Sequence, residues 1–123
     1  MSVLKTLGLI LLGVVVGFAA HFALRHHRDI AFDTPYQAIL LDSGQVYYGR
    51  VQGLGTAYPV VTDVYYIQSQ TNPQTKEVTN ILVRRGKEWH APDRMYLNAR
   101  HIVMVEPVGP ASKVAQLIAQ AAH

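Results

Sequence analysis

The 123-residue chain contains no cysteine, so disulfides and thiolate metal sites are both excluded, and the redox compartment cannot be read from it. Charge is also sparse. Lys, Arg, Asp and Glu make up 15% of residues, and the net charge of +3 does not belong to the body of the chain. From Asp29 onward eight Lys or Arg (50, 76, 84, 85, 87, 94, 100, 113) face eight Asp or Glu (29, 33, 42, 63, 77, 88, 93, 106), and the excess comes from Lys5, Arg25 and Arg28. A neutral body lacks the electrostatic footprint of a nucleic-acid binder. Metal and hydrolase signatures are missing as well, for no two of His90, Asp93, Asp63 and Glu88 stand at a spacing such as H-x-x-x-H or H-E-x-x-H.

What the sequence has in abundance is one apolar run. Thr6–Leu24, roughly 19 residues between Lys5 and Arg25, carries no charge, and as a helix it would reach roughly 28 Å, close to the thickness of a bilayer core. The expectation is a single N-terminal transmembrane helix in a bacterial inner membrane. Its rival is a cleaved secretory signal, with Met1–Lys5 as the charged start and Gly17 and Ala19 as small residues near a cleavage site. Arg25 and Arg28 outnumber Lys5, so the charge rule tilts the C-terminal domain toward the cytoplasm, with the periplasmic orientation as the alternative. His26-His27, set between those arginines, reads as a collar in the lipid headgroups.

Within the run, Gly13 and Gly17 form a G-x-x-x-G pair that would let a partner helix of an integral membrane complex approach closely. Thr6, Ala20 and His21 fall near the same face. Gly17-Phe18-Ala19-Ala20-His21 resembles the way antenna polypeptides of photosynthetic bacteria present an imidazole to a pigment magnesium. A polar residue near the end of a span is more simply explained by its contact with headgroups. No cofactor is therefore assigned.

His26–Pro35 is a polar connector. After it the periodicity turns from helical to alternating, rich in Tyr, Val and Ile. Strands are expected at Tyr36–Leu41, Val46–Val51, Val60–Gln68, Glu77–Arg85, Met95–Leu97 and His101–Glu106. Asp42-Ser43-Gly44-Gln45 makes the first turn, Thr71-Asn72-Pro73-Gln74 a later one, and Asn98-Ala99-Arg100 a tight one. Gly44 is expected at positive φ, and Gly49 where a strand bends or another backbone comes close. Ser112 can cap a final helix whose Val114, Leu117, Ile118 and Ala121 form one stripe, covering a barrel end or sheet edge. The organisation is thus an anchor at residues 1–25, a linker at 26–35 and one small domain at 36–122.

Two resemblances follow from these residues. Leu40-Leu41-Asp42-Ser43-Gly44-Gln45-Val46-Tyr47-Tyr48-Gly49-Arg50-Val51 resembles the first hairpin of Sm-like small barrels, and Asn98–Val105 is similar to their closing strand. This implies a small, open, mainly β barrel, and a peptide or RNA as an alternative ligand. More extensively, Tyr36–Val51 together with Tyr58-Pro59-Val60-Val61-Thr62-Asp63-Val64-Tyr65-Tyr66-Ile67-Gln68 resembles an uncharacterised family of small bacterial proteins with one N-terminal membrane helix. Glu88-Trp89-His90-Ala91-Pro92-Asp93-Arg94-Met95-Tyr96-Leu97-Asn98 matches a loop of that family of the type Glu-Leu-His-Gly-Pro-Glu-Asp, with the Leu, the Gly and one acidic position replaced. That resemblance implies a fold and no activity.

The remaining candidates are interfacial. Tyr47-Tyr48 and Tyr65-Tyr66 place one ring on each face of their strands, so one member of each pair faces away from the core. His90 and Asp93 read as residues that hold the backbone of the Gly86–Asp93 loop rather than as an acid–base pair. The functional expectation is a non-enzymatic accessory or scaffolding subunit that docks its β domain on a larger membrane protein complex. In outline the plan is similar to the H subunit of purple-bacterial reaction centres.

Overall fold

The computed structural model describes the backbone of residues 2–26 and 30–122, and side chains at positions 3, 5–20 and 30–122. It divides into two compact units, Met1–Ile30 and Ala31–His123.

The first unit is helix α1, Ser2–His26. Leu, Val, Ile, Phe and Ala dominate it and no proline interrupts it, so the helix runs unbroken despite Gly8, Gly13 and Gly17. Its described large side chains, from Val3 to Phe18, are all exposed. The expected transmembrane anchor is nevertheless not supported. No helix among the described residues is long and apolar enough to cross a membrane. The single-pass inner-membrane location goes with the anchor. Nothing lies within 4 Å of the Cβ positions at Gly13 and Gly17. His21 and the His26-His27 collar with Arg25 and Arg28 lie outside the described side chains.

The second unit is one antiparallel sheet followed by a short helix. Its strands are β1 (Gln37–Leu41), β2 (Val46–Gln52), β3 (Val60–Thr71), β4 (Val78–Arg84), β5 (Arg94–Tyr96) and β6 (Ile102–Pro107), with a 3-10 turn at Ala99–His101 and helix α2 at Lys113–Ala121. The order across the sheet is β4-β3-β2-β1-β6, and β5 pairs with the start of β3. Among the described residues no ladder joins β4 to β6, so the expected barrel is a bent six-stranded sheet with two edges.

Local chemistry accounts for the shape. The β1–β2 turn closes through Gly44 N–H to Leu41 O (2.9 Å), with Gly44 at φ +88°, the conformation that only glycine adopts freely. Gly49 allows the closest approach in the sheet, for a Cβ built there would lie 2.5 Å from Val61 Cγ1 and 2.9 Å from Thr62 O. At the same place the β2–β3 register shifts between Tyr48 and Arg50, a bulge that bends both strands. Buried Gln37 is satisfied on both sides: its amide donates to Thr34 O and its carbonyl oxygen accepts from Val51 N–H. Ser112 caps α2 by accepting from Ala115 N–H at 3.1 Å.

The core lies on one face of the sheet. Ile39, Val61, Val64 and Leu97 are buried, and Leu41, Tyr47, Val51, Met95, Ile102 and Val105 pack against them. Helix α2 buries Ile118 and touches β4.

Candidate functional site: the outer face of β2, β3 and β5

Strand alternation sorts the side chains of β2, β3 and β5 into rows. Val51 pairs with Val61, and Val61 with Met95, and this row belongs to the core. On either side of it lie two rows that point the other way, Arg50–Thr62–Arg94 and Gln52–Val60–Tyr96. Beyond β3, backbone hydrogen bonds from Leu97 N–H to Pro59 O and from Ala99 N–H to Ala57 O continue the pairing past Tyr58. Tyr58 and Tyr96 stand 59% and 63% exposed, and Trp89, in the loop before β5, is fully exposed.

A charged and aromatic cluster completes this face where β3 leaves β5 for β4. Asp63 sits there at φ +49°, a left-handed conformation that Asp tolerates better than most side chains. Its two carboxylate oxygens are divided between two arginines, Oδ2 lying 3.1 Å from Arg50 Nε and Oδ1 3.4 Å from Arg84 Nη2. Each guanidinium also lies over a tyrosine ring, Arg50 4.8 Å from the Tyr36 centroid and Arg84 5.9 Å from that of Tyr65. Tyr36 and Tyr65 meet edge to face at 6.3 Å. The Tyr36 hydroxyl, through its hydrogen bond and charge, and then Asp63 hold the Arg50 guanidinium above its ordinary pKa; burial raises the Tyr65 phenol against the opposing pull of Arg84.

The opposite rim repeats the theme around the core. Tyr47 and Tyr66 meet edge to face at 6.4 Å, and Arg85 lies over Tyr47 at 5.9 Å. Arg85 Nε pairs with Glu88 Oε1 at 3.1 Å, while Glu88 Oε2 accepts from Gly86 N–H at 2.9 Å. That backbone hydrogen bond, more than the arginine, lowers the Glu88 pKa. A cavity lined by Val64, Arg85, Pro92, Asp93, Arg94 and Met95 has room for about 10 Å³, one water at most.

The residues singled out from the sequence fall as follows. Tyr47, Tyr48 and Tyr66 are half-buried and Tyr65 is buried; Arg84 lies over Tyr65 and Arg85 over Tyr47. Tyr48 lines a groove with Ala38 and Val114, where α2 approaches the sheet. The loop-holding role expected of His90 and Asp93 is filled by Glu88. Asp93 instead pairs with Arg94 through both oxygens, at 3.2 and 3.1 Å, and that contact lowers its pKa. His90 is exposed and takes part in no hydrogen bond or ion pair among the described residues. No three His, Asp or Glu side chains converge among the described residues.

Three features escaped the sequence reading. The Arg50–Asp63–Arg84 triad joins residues 13 and 21 positions from Asp63, and only the bulge brings them together. Tyr36 was read as the start of a strand, not as a platform for Arg50. The exposure of Tyr58 and Tyr96 follows from counting alternate positions outward from Val61, a signal present in the sequence once the core row is known. No family model and no curated protein matches the chain.

Proposed function

We propose that this protein is a non-enzymatic docking module that binds a larger protein assembly through the outer face of β2, β3 and β5. The observation that carries the reading is the contrast between adjacent rows of the same strands: Val51, Val61 and Met95 pack into the core, while Arg50, Gln52, Arg94 and Tyr96 are exposed on the other side. Tyr, Trp and Arg are the residues enriched where protein surfaces meet, because their large, rigid side chains bury much area for few frozen torsions. The face carries exposed side chains, Arg50, Gln52, Arg94 and Tyr96, which suits a protein surface better than an enclosed small molecule. Its arginines are already oriented by ring contacts and ion pairs, so little freedom is left to lose on binding.

The test is paired. Tyr58→Ala with Tyr96→Ala should lose a co-purifying protein that the unaltered chain retains, since aromatic anchors at interface centres contribute about 2 kcal/mol or more each. The melting temperature should stay unchanged, because both rings are exposed. Retention of the same protein by the double variant would overturn the reading.

A further inference from the structure

We infer that the Arg50–Asp63–Arg84 cluster is the point at which the docking face takes a carboxylate from an acidic segment of its protein partner. This rests on the docking reading and gives the partner its chemistry. Each guanidinium has five N–H donors, and Asp63 engages Nε of Arg50 and Nη2 of Arg84. Both arginine side chains are about half exposed, so each guanidinium is reachable from solvent, with the Tyr36 hydroxyl taking one further N–H of Arg50. Arg50 lies 4.8 Å from the Tyr36 ring and Arg84 5.9 Å from that of Tyr65, with Asp63 between them, an arrangement that restrains both guanidinium groups side by side. A planar fork is matched by a planar carboxylate, which accepts two parallel hydrogen bonds.

Charge decides between a carboxylate and a phosphate. Two arginines around one aspartate leave a single positive charge, which one carboxylate neutralises. A phosphate dianion would exceed that charge, and a phosphodiester, a monoanion like the carboxylate, is set apart by the track of cations that a nucleic-acid backbone requires. The neighbouring pair, Arg94 with Asp93, adds no further excess. A nucleic-acid backbone recruits uncompensated Lys and Arg along a track, and this face interleaves its arginines with aspartates. The ligand is therefore a side chain or terminus of a protein carrying Asp or Glu.

The experiment uses the full chain labelled with 15N and follows the Arg side-chain Nε–H resonances during titration with hexaglutamate. Hexaglutamine, inorganic phosphate and hexauridylate serve as the comparison probes. Hexaglutamate should move the Arg50 and Arg84 resonances saturably, and hexaglutamine should not. R50Q/R84Q should weaken hexaglutamate binding at least tenfold while the backbone amide spectrum stays dispersed; if the double variant loses its fold, R84Q alone, at a half-exposed position, should weaken it several-fold. Unchanged binding by the folded variant would overturn the inference, as would phosphate or hexauridylate binding as tightly as hexaglutamate. Docking itself is read separately from the Tyr58 and Tyr96 variants. Loss of the co-purifying protein there, with no hexaglutamate effect at the arginines, would defeat the carboxylate assignment and leave the docking reading standing.

Discussion

The two faces of β2, β3 and β5 are built from alternate residues of the same three short strands, yet they obey different rules. On the inner face, Val61 is fully buried between Val51 and Met95, and Gly49 yields its side-chain space to Val61 Cγ1. On the outer face, Arg50, Gln52, Arg94 and Tyr96 stay in solvent, and their order comes from ring contacts and ion pairs. The inner face therefore bears on whether the unit folds, and the outer face on what it meets. A surface ion pair contributes little to stability, so the outer face can be altered with little cost to folding, which makes the proposed docking role testable apart from the fold.

This separation can be broken most severely from the inside. Ile39 is fully buried at the centre of the core, so Ile39→Ala should cost about 2–5 kcal/mol. In a unit of this size each kcal/mol lowers the melting temperature by about 4–8 °C, and calorimetry showing a drop of under about 4 °C would place the core elsewhere. Next in size is Gly49→Ala. The added Cβ would have to displace Val61 Cγ1 and the Thr62 carbonyl, and overpacking of this kind costs about 1–3 kcal/mol. A variant as stable as the unaltered chain would mean that the bulge does not bring β2 and β3 together as described.

A smaller effect is expected from acid. Glu88 and Asp93 have depressed pKa values, so their contribution to the folded state is complete above the ordinary carboxylate pKa of about 4 and is lost as pH falls through the folded-state values. The melting temperature should be flat from pH 7 to 5 and decline below about pH 4. Glu88→Gln should shallow that decline, since its backbone hydrogen bond to Gly86 no longer depends on charge in the same way. An identical pH profile in the variant would remove Glu88 from the account.

Much of the second unit was legible before the structure. The alternation of Tyr36–Val51, the Asp42–Gln45 turn, the conformations required of Gly44 and Gly49 and the Ser112 cap are all local, and each appears where its chemistry requires. The arm formed by β3 and β4 runs longer than expected, with β3 reaching Thr71, because Thr and Gln continue a ladder whose sides need no core. The geometry at the bulge was not legible: it shifts the alternation by one residue, and Asp63 at positive φ cannot be inferred from the run Val61-Thr62-Asp63-Val64. The tyrosine pairs do place Tyr47 with the core and Tyr48 opposite Tyr65 on the other face, while Tyr58 and Tyr96 are more exposed than any of the four. The N-terminal reading failed for another reason. Hydropathy along the chain was treated as equivalent to a span, while no helix among the described residues meets the length and apolarity that crossing demands.

The central claim, that the outer face meets a protein and the rest of the sheet does not, is tested most directly by placing a photoreactive side chain at one position at a time. Tyr96 and Gln52 report on the outer face, Met104 on the β6 edge and Val78 on the β3–β4 arm, all four being exposed. Irradiation in cells should give one shared adduct from positions 96 and 52, lost when Arg50 and Arg84 are also replaced by Gln, and no such adduct from 104 or 78. Equal adducts from all four positions, or the shared adduct from 104 or 78 alone, would contradict it.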